Sequence, residues 1–180
     1  MQNVEYKAEL RDPSLARTIA ASIGAIKVDT LRQTDTYFRV PDAKLKKRET
    51  LGHPTEWVFY NRPDRSRPKL STFTLYPEHM ARERFGHADL PVWVVVKKVR
   101  ELWTYDGVRV HFDAVEGLGS FVEFEALICP ERTQAKGLEL VEFLRTSLGP
   151  AMGEAIACGY ADMLAGEGAS AELGEGEARV

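Results

Sequence analysis

The sequence has little net charge and no long hydrophobic run. Its 180 residues include 24 basic and 27 acidic side chains, a formal net charge of -3. A nearly neutral chain has no overall attraction to nucleic acid or to an anionic membrane, so an anion site would need a local charge cluster. No segment reaches the run of about 18 apolar residues that crosses a bilayer, and the first ten residues lack the apolar core of a secretion signal. We therefore expect a cytoplasmic protein that binds neither nucleic acid nor membrane.

Cysteine is also scarce. Cys129 and Cys158 each stand alone in the sequence, without the spacing of a zinc site or a disulfide framework. We expect both to be plain thiols.

The length of the chain favours one domain. A chain of 180 residues with 44% hydrophobic side chains can bury one hydrophobic core and is too short for two well-packed cores. We expect this domain to span residues 1–165. Residues 166–180 are rich in Gly and Glu and almost without large apolar side chains, which predicts a disordered tail.

Alternation of polar and apolar residues predicts a mostly β protein with seven or eight strands. The expected strands cover residues 3–10, 30–49 with a turn at Pro41-Asp42-Ala43, 56–62, 70–76, 92–105, 108–115 and 121–128. Asp106-Gly107 between two alternating runs is a strong hairpin signal. Helical spacing of apolar residues predicts helices over residues 13–23, 77–84, 133–148 and, more weakly, 152–164.

Six of these strands share an unusual division of charge. Each carries charged side chains on one face and large apolar groups on the other, as in Val108–Val115, where Arg109, His111 and Asp113 alternate with apolar residues. For a single strand this pattern is typical of a solvated face. Across the set, basic residues dominate four strands and acidic residues recur on the others, while the expected helices offer apolar stripes. The combination predicts a closed or nearly closed antiparallel β-barrel with charges inside and helices outside.

Such an interior has a chemical preference. Lys and Arg side chains in a space shielded from water hold a polyanion by charge-assisted contacts. Carboxylates beside that anion need a bridging cation, and Mg²⁺ and Mn²⁺ prefer carboxylate oxygens together with the phosphates of a substrate. The pattern therefore predicts a small-molecule triphosphate bound with divalent metal ions.

Several motifs resemble one known family. The run Asn3-Val-Glu5-Tyr-Lys7 resembles the Glu-x-Glu-x-Lys signature of the CYTH superfamily, the triphosphate tunnel metalloenzymes. QTDTYFRVPDAKLKKRE, the YNRPD run, VVVKKVRELW and VRVHFDAVEGLGSFVEFE resemble its class IV adenylyl cyclase-like branch. The resemblance spans residues 3–128 and implies an eight-stranded antiparallel tunnel with Mg²⁺ or Mn²⁺ as cofactor. Asn3 replaces the first glutamate, which should weaken metal binding.

The resemblance also implies roles for individual residues. It implies metal ligation by Glu5, Asp113, Glu123 and Glu125. It implies phosphate binding by Lys7, Lys44, Lys46, Arg48, Arg62, Lys69, Lys98, Arg100 and Arg109. Of these residues, Asp113, Lys7 and Arg100 are the expected catalytic ones. His111 shares a strand face with Arg109 and Asp113, and a lone histidine is more often a packing residue than a proton-transfer group.

The reaction stays open at this point. The branch resemblance favours conversion of ATP to cyclic AMP and pyrophosphate. A triphosphatase that hydrolyses thiamine triphosphate, inorganic triphosphate or a nucleoside triphosphate would use nearly the same residues. A third alternative, to which Asn3 gives some support, is a protein that binds triphosphate or polyphosphate without turnover. Tyr37, Phe38 and Tyr60 could stack on a base or simply pack the barrel, and a homodimer is compatible with the sequence.

Overall fold

The framework of the fold is one antiparallel sheet. A computed structural model describes residues 1–40, 43–61, 65–86 and 90–166. The strands are β1 (Gln2–Leu10), β2 (Ile26–Val40), β3 (Ala43–Thr50), β4 (Glu56–Asn61), β5 (Lys69–Pro77), β6 (Val92–Tyr105), β7 (Val108–Val115), β8 (Gly119–Leu127) and β9 (Met152–Ala155). The α-helices are α1 (Pro13–Ser22), α2 (Glu78–Phe85), α3 (Gln134–Leu148) and α4 (Tyr160–Ala165), and a 3₁₀ turn spans Gly149–Ala151.

Eight of the strands close into a barrel. Their order is β5-β4-β3-β2-β6-β7-β8-β1, and β1 pairs back with β5, where Glu5 lies opposite Lys69. The predicted eight-stranded antiparallel barrel is therefore confirmed. The predicted turn at Pro41-Asp42, Arg62 and residues 167–180 of the predicted tail lie outside the described residues.

The strand register decides which side chains face the interior. Opposite residues of an antiparallel pair point to the same side of the sheet. Across β1, β8 and β7, Glu5 lies opposite Glu125, and Glu123 lies between Lys7 and His111. These side chains all project into the barrel, so the charged faces are internal, as the alternation predicted.

The apolar faces of the same strands point outward and carry the main core. Val4, Val122 and Phe124 are buried beneath α3, which contributes Val141 and Leu144. The helix lies close to the sheet because a Cβ at Gly137 would already meet side-chain atoms of β1 and β8 at 3.4 Å. Thr133 caps the first turn of α3 by accepting a hydrogen bond from the Lys136 N–H. In the described part of the chain, no helix is long and apolar enough to cross a bilayer.

The C-terminal segment differs from the expected structure. The prediction of a helix over 152–164 is wrong for its first half, because Met152–Ala155 forms β9 beside β1, with Leu10 opposite Met152 and Ala8 opposite Ala155. Helix α4 begins only at Tyr160. It packs against inward-facing residues, among them Val96 and Phe121, so it lies across one end of the barrel, unlike α1 and α3.

Candidate functional site

The barrel encloses a cavity of about 200 Å³ with a charged and aromatic lining. The basic lining residues are Lys7, Lys46, Arg48, Lys98, Arg100 and Arg109, and the acidic ones are Glu5, Glu56, Glu123 and Glu125. The aromatic and large apolar ones are Tyr37, Val58, Tyr60, Phe73, Leu75 and Tyr160. The cavity therefore combines charges of both signs with a less polar wall.

One wall of the cavity is basic and is formed by Lys46, Arg48 and Lys98, which converge on a buried carboxylate. Asp35 projects inward from β2, opposite Arg48 of β3 in the register, and its side chain is fully buried. Arg48 donates two hydrogen bonds to it at 2.7 and 2.8 Å, and Lys46 and Lys98 donate at 3.0 and 2.8 Å. Three cations thus share one carboxylate, which leaves a surplus of positive charge.

The pKa values on this wall reflect that crowding. Burial alone would raise the pKa of Asp35, but the charges of Arg48, Lys46 and Lys98 outweigh it and hold the pKa well below its usual range. Burial, together with the charge of Arg48, lowers the pKa of Lys46 to about 7. Burial is also the main reason that the pKa of Lys98 falls to about 8. An anion in the cavity would favour the charged form of both lysines.

A second ion pair joins Arg100 of the cavity lining to Asp113, which lies behind it. Arg100 donates two hydrogen bonds to Asp113, at 2.7 and 2.6 Å, and a third to Glu123 at 2.8 Å. The Tyr160 hydroxyl of α4 also donates to Asp113, at 2.9 Å. Although burial opposes it, the charge of Arg100 lowers the pKa of Asp113 to about 2. Asp113 is therefore an ionised acceptor that orients Arg100 and Tyr160.

An acidic wall formed by β1, β7 and β8 faces the basic one. Glu123 lies 3.5 Å from the Lys7 ammonium, and Glu125 pairs with Arg109 at 2.8 Å. The His111 Nδ1 lies 3.7 Å from Glu123 Oε2 and 3.9 Å from Glu125 Oε1, distances too long for hydrogen bonds. Burial and the charge of Arg100 lower the pKa of His111, which favours the neutral imidazole.

Two residues of β1 complete this wall. Glu5 is 6% exposed and lies opposite Glu125, while Asn3 is 3% exposed, and both line the cavity. The Asn3 Oδ1 is buried and has no hydrogen-bond partner among the described residues. An amide oxygen without a partner suits a bound cation or a water molecule on a cation, so the position of the replaced glutamate still offers a ligand atom.

The donor set fits a divalent metal ion. The ligand atoms of His111, Glu123 and Glu125 lie within 4.8 Å of one another, and Glu5 is adjacent in the register. Carboxylate oxygens suit Mg²⁺ and Mn²⁺, and an imidazole nitrogen suits first-row transition ions. These are the residues that could hold a metal beside a bound polyanion.

The structure brings together most of the residues predicted for the site. Lys7, Lys46, Arg48, Lys98, Arg100, Arg109, Glu5, Glu123 and Glu125 line one cavity. Asp113 lies behind it. Lys44 instead pairs with Asp162 of α4 at 2.5 Å, and Lys69 donates to the Ala157 carbonyl at 2.5 Å. Both lysines thus hold the C-terminal segment, and the cavity lining does not include them.

Two central residues were missed in the sequence. Asp35 belongs to an inward run with Gln33 and Tyr37, and the alternation of β2 could have indicated it. Nothing in the sequence shows that three cations converge on it. Tyr160 gives no local signal, because its place in the cavity depends on how α4 folds back across the barrel.

Comparison with known proteins identifies the fold and family. The CYTH domain family matches residues 1–160, and no curated protein sequence matches this chain. A conserved hypothetical protein from Pyrococcus furiosus shares 20% identity with a TM-score of 0.69, over 89% of this chain and 98% of that one.

Two further solved structures share the fold. A Vibrio parahaemolyticus protein named as a "putative adenylate cyclase" shares 16% identity with a TM-score of 0.69, over 90% of this chain and 97% of that one. A chain of the Schizosaccharomyces pombe Mediator head module shares 13% identity with a TM-score of 0.57, over 86% and 98%. At such identities the likeness concerns the fold, and one fold hosts several functions. The family match over residues 1–160 goes further: the chain belongs to the CYTH domain family.

Proposed function

We propose that this protein is a divalent-metal-dependent enzyme that acts on an organic triphosphate, and that its reaction converts ATP to cyclic AMP and pyrophosphate. One observation carries the proposal. A single cavity combines a buried basic wall, carboxylates opposite it that have the His111 imidazole beside them, and a set of aromatic side chains. A polyanion with an organic group and a bridging cation matches all three features.

The basic wall supplies the phosphate-binding groups. Lys46, Arg48 and Lys98 converge on Asp35, so the wall carries about two unbalanced positive charges when the lysines are protonated. Phosphate oxygens would offset this surplus through charge-assisted hydrogen bonds. Lys7 and Arg100 face the same space from β1 and β6 and would hold the rest of the chain of phosphates.

The acidic wall is the proposed place of the metal. Glu123, Glu125 and Glu5 would hold it, and Asn3 would contribute its amide oxygen directly or through water. A divalent ion there supplies Lewis-acid stabilisation of charge on phosphate oxygens. Arg109, whose side chain is 47% exposed, can leave Glu125 and turn to a phosphate.

The aromatic side chains supply a place for the organic group. Tyr37, Tyr60 and Phe73 line the same cavity as the phosphate-binding groups, and aromatic faces stack on bases. Cyclisation forms a bond between the ribose 3′ oxygen and the α-phosphorus and breaks the bond to the β-phosphate oxygen. The hydroxyl proton passes to solvent or a nearby base, and pyrophosphate leaves. The protein would contribute mainly positioning and neutralisation of the leaving charge.

Hydrolysis of thiamine triphosphate is a second candidate with its own support. Glu56 lines the cavity beside Val58, close to the aromatic residues. A carboxylate with aromatic faces is suited to a cationic ring, and thiamine carries one. Water would then attack the terminal phosphorus and break its bond to the β-phosphate oxygen. Thiamine diphosphate would leave, and the attacked phosphoryl group would become orthophosphate.

The deciding experiment resolves the products. The purified protein is incubated with ATP, thiamine triphosphate or inorganic triphosphate, each with Mg²⁺ or Mn²⁺, and the products are separated by chromatography. Cyclic AMP with pyrophosphate supports the proposal. Orthophosphate without cyclic AMP contradicts the cyclase and selects a triphosphatase. Metal-dependent binding without product indicates a protein that only binds triphosphate.

Two adjacent lysines provide a matched comparison. Lys46→Gln removes an inward charge that lies 3.0 Å from Asp35, and Lys47→Gln removes the next charge along β3, which pairs with Glu49 on the outer face. We expect at least a tenfold loss of triphosphate binding only from Lys46→Gln. Equal effects of the two substitutions would contradict binding inside the barrel.

A further inference from the structure

His111 is a buried polar side chain that the proposed reaction does not use. It is 3% exposed, and its Nδ1 has no hydrogen-bond partner in the part of the chain that the structure describes. A buried polar atom without a partner is costly and calls for a physical explanation. Its neighbours on the inner face are Glu123, directly opposite in the β7–β8 register, and Glu125.

The separations around Nδ1 match those between ligands of one metal ion. Nδ1 lies 3.7 Å from Glu123 Oε2 and 3.9 Å from Glu125 Oε1. Atoms bound to one ion at about 2.1 Å lie about 3 to 4 Å apart. These separations are too long for hydrogen bonds and short enough for a shared cation.

The cationic side chains that pair with Glu123 and Glu125 still leave access for a metal ion. Arg100 holds Glu123 Oε2 at 2.8 Å, and the Lys7 ammonium lies 3.5 Å from Glu123 Oε1. Arg109 holds Glu125 Oε2 at 2.8 Å. The other oxygen of Glu125, Oε1, faces Nδ1. The Arg109 side chain is the most exposed of these cationic partners. It can therefore move into water when a metal ion binds beside Glu125.

We propose that His111, Glu123 and Glu125 form a mixed nitrogen and oxygen metal site that selects Mn²⁺ or a later first-row transition ion over Mg²⁺. Mg²⁺ favours an octahedral shell of oxygen atoms, whereas an imidazole nitrogen favours transition ions. His111 therefore sets the metal preference of the barrel. The inference rests on the proposed function only in placing the metal on the same carboxylates.

The test measures metal binding without any triphosphate. Chelator-treated protein is titrated with Mg²⁺ and Mn²⁺ by calorimetry and with Co²⁺ by visible absorption. We expect tighter binding of Mn²⁺ than of Mg²⁺, and His111→Gln should weaken Mn²⁺ and Co²⁺ binding by about tenfold or more while changing Mg²⁺ binding much less. His79→Gln, on exposed α2, is the matched control. An unchanged ratio of Mn²⁺ to Mg²⁺ affinity in His111→Gln would overturn the inference.

A second measurement uses the native side chain, in case His111→Gln does not fold. The chain has four histidines, and their imidazole nitrogen resonances are followed as Zn²⁺ is added. We expect one histidine to shift at a stoichiometric amount, and that signal should persist when each of the other three is replaced in turn. No shift, or a shift that follows another histidine, refutes the site. Failure of triphosphate turnover with an intact metal shift would count against the proposed function alone.

Discussion

Asp35→Asn is the sharpest test of how the barrel tolerates its internal charge. The substitution keeps the shape of the side chain and removes the carboxylate on which Arg48, Lys46 and Lys98 converge at 2.7 to 3.0 Å. Breaking a buried ion pair by neutralising one partner costs about 3–5 kcal/mol, because the other charge stays buried without compensation. We expect the free energy of unfolding at pH 7 to fall by about that amount.

The pH dependence of this loss follows from the lysines. Lys46 and Lys98 have folded pKa values of about 7 and about 8, below the unfolded value near 10.5, and Asp35→Asn lowers them further. Between the folded and unfolded pKa values the unfolded chain binds more protons, so stability rises with pH. Since both lysines can become neutral, the difference between variant and native protein should shrink as pH rises from about 6 to about 9.

Urea unfolding across that pH range is the measurement. Asp29→Asn, an exposed position on the same strand, is the control and should change stability by at most about 0.5 kcal/mol. Added inorganic triphosphate should stabilise Asp35→Asn more than the native protein, because the anion replaces the missing negative charge. A loss below about 1 kcal/mol at pH 7 would refute the role of Asp35 as the counter-ion of the basic wall.

Further outcomes follow from the same contacts. At pH 8, Lys46 and Lys98 should take up protons when triphosphate binds, because the anion raises their lowered pKa values. Calorimetry in buffers of different ionisation enthalpy measures this uptake, and proton release would contradict the prediction. Lys44→Ala should leave triphosphate affinity within about threefold in a binding titration, since that lysine pairs with α4; a loss matching Lys46→Ala would place it in the site. Tyr160→Phe should lower stability in urea by about 1–3 kcal/mol, as Asp113 loses a buried donor, and no change would contradict that bond.

The elements that could be predicted are those whose signal is local. The alternation in Val108–Val115 and the Asp106-Gly107 turn predicted a hairpin that the structure confirms. Met152–Ala155 was expected to be helical and is a strand, because its conformation depends on pairing with β1, more than 140 residues earlier in the chain. Short segments with weak periodicity are decided by such partners.

The lysines show the same limit within the site. Lys44 and Lys46 follow the same alternation on β3, and both face inward, yet Lys46 meets Asp35 while Lys44 meets Asp162 of α4. The alternation predicts which face of a strand a side chain lies on. It carries no information on how deep in the barrel the side chain lies or which residue it pairs with. The homodimer, the cytoplasmic location and the disordered tail stay predictions.

The sequence by itself determined the antiparallel strands, the internal charge and the family. Side-chain alternation and the motifs of residues 3–128 are patterns among residues that are close together in the chain, so they can be recognised without the tertiary structure. Only the tertiary structure decided that Asp35 accepts hydrogen bonds from three cationic side chains and that Asp113 accepts them from Arg100 and Tyr160. It also decided that His111 lies beside two glutamates. These relations arise from barrel closure and strand register, which bring together side chains from distant strands, and the energy of a buried charge depends on the partners it meets there.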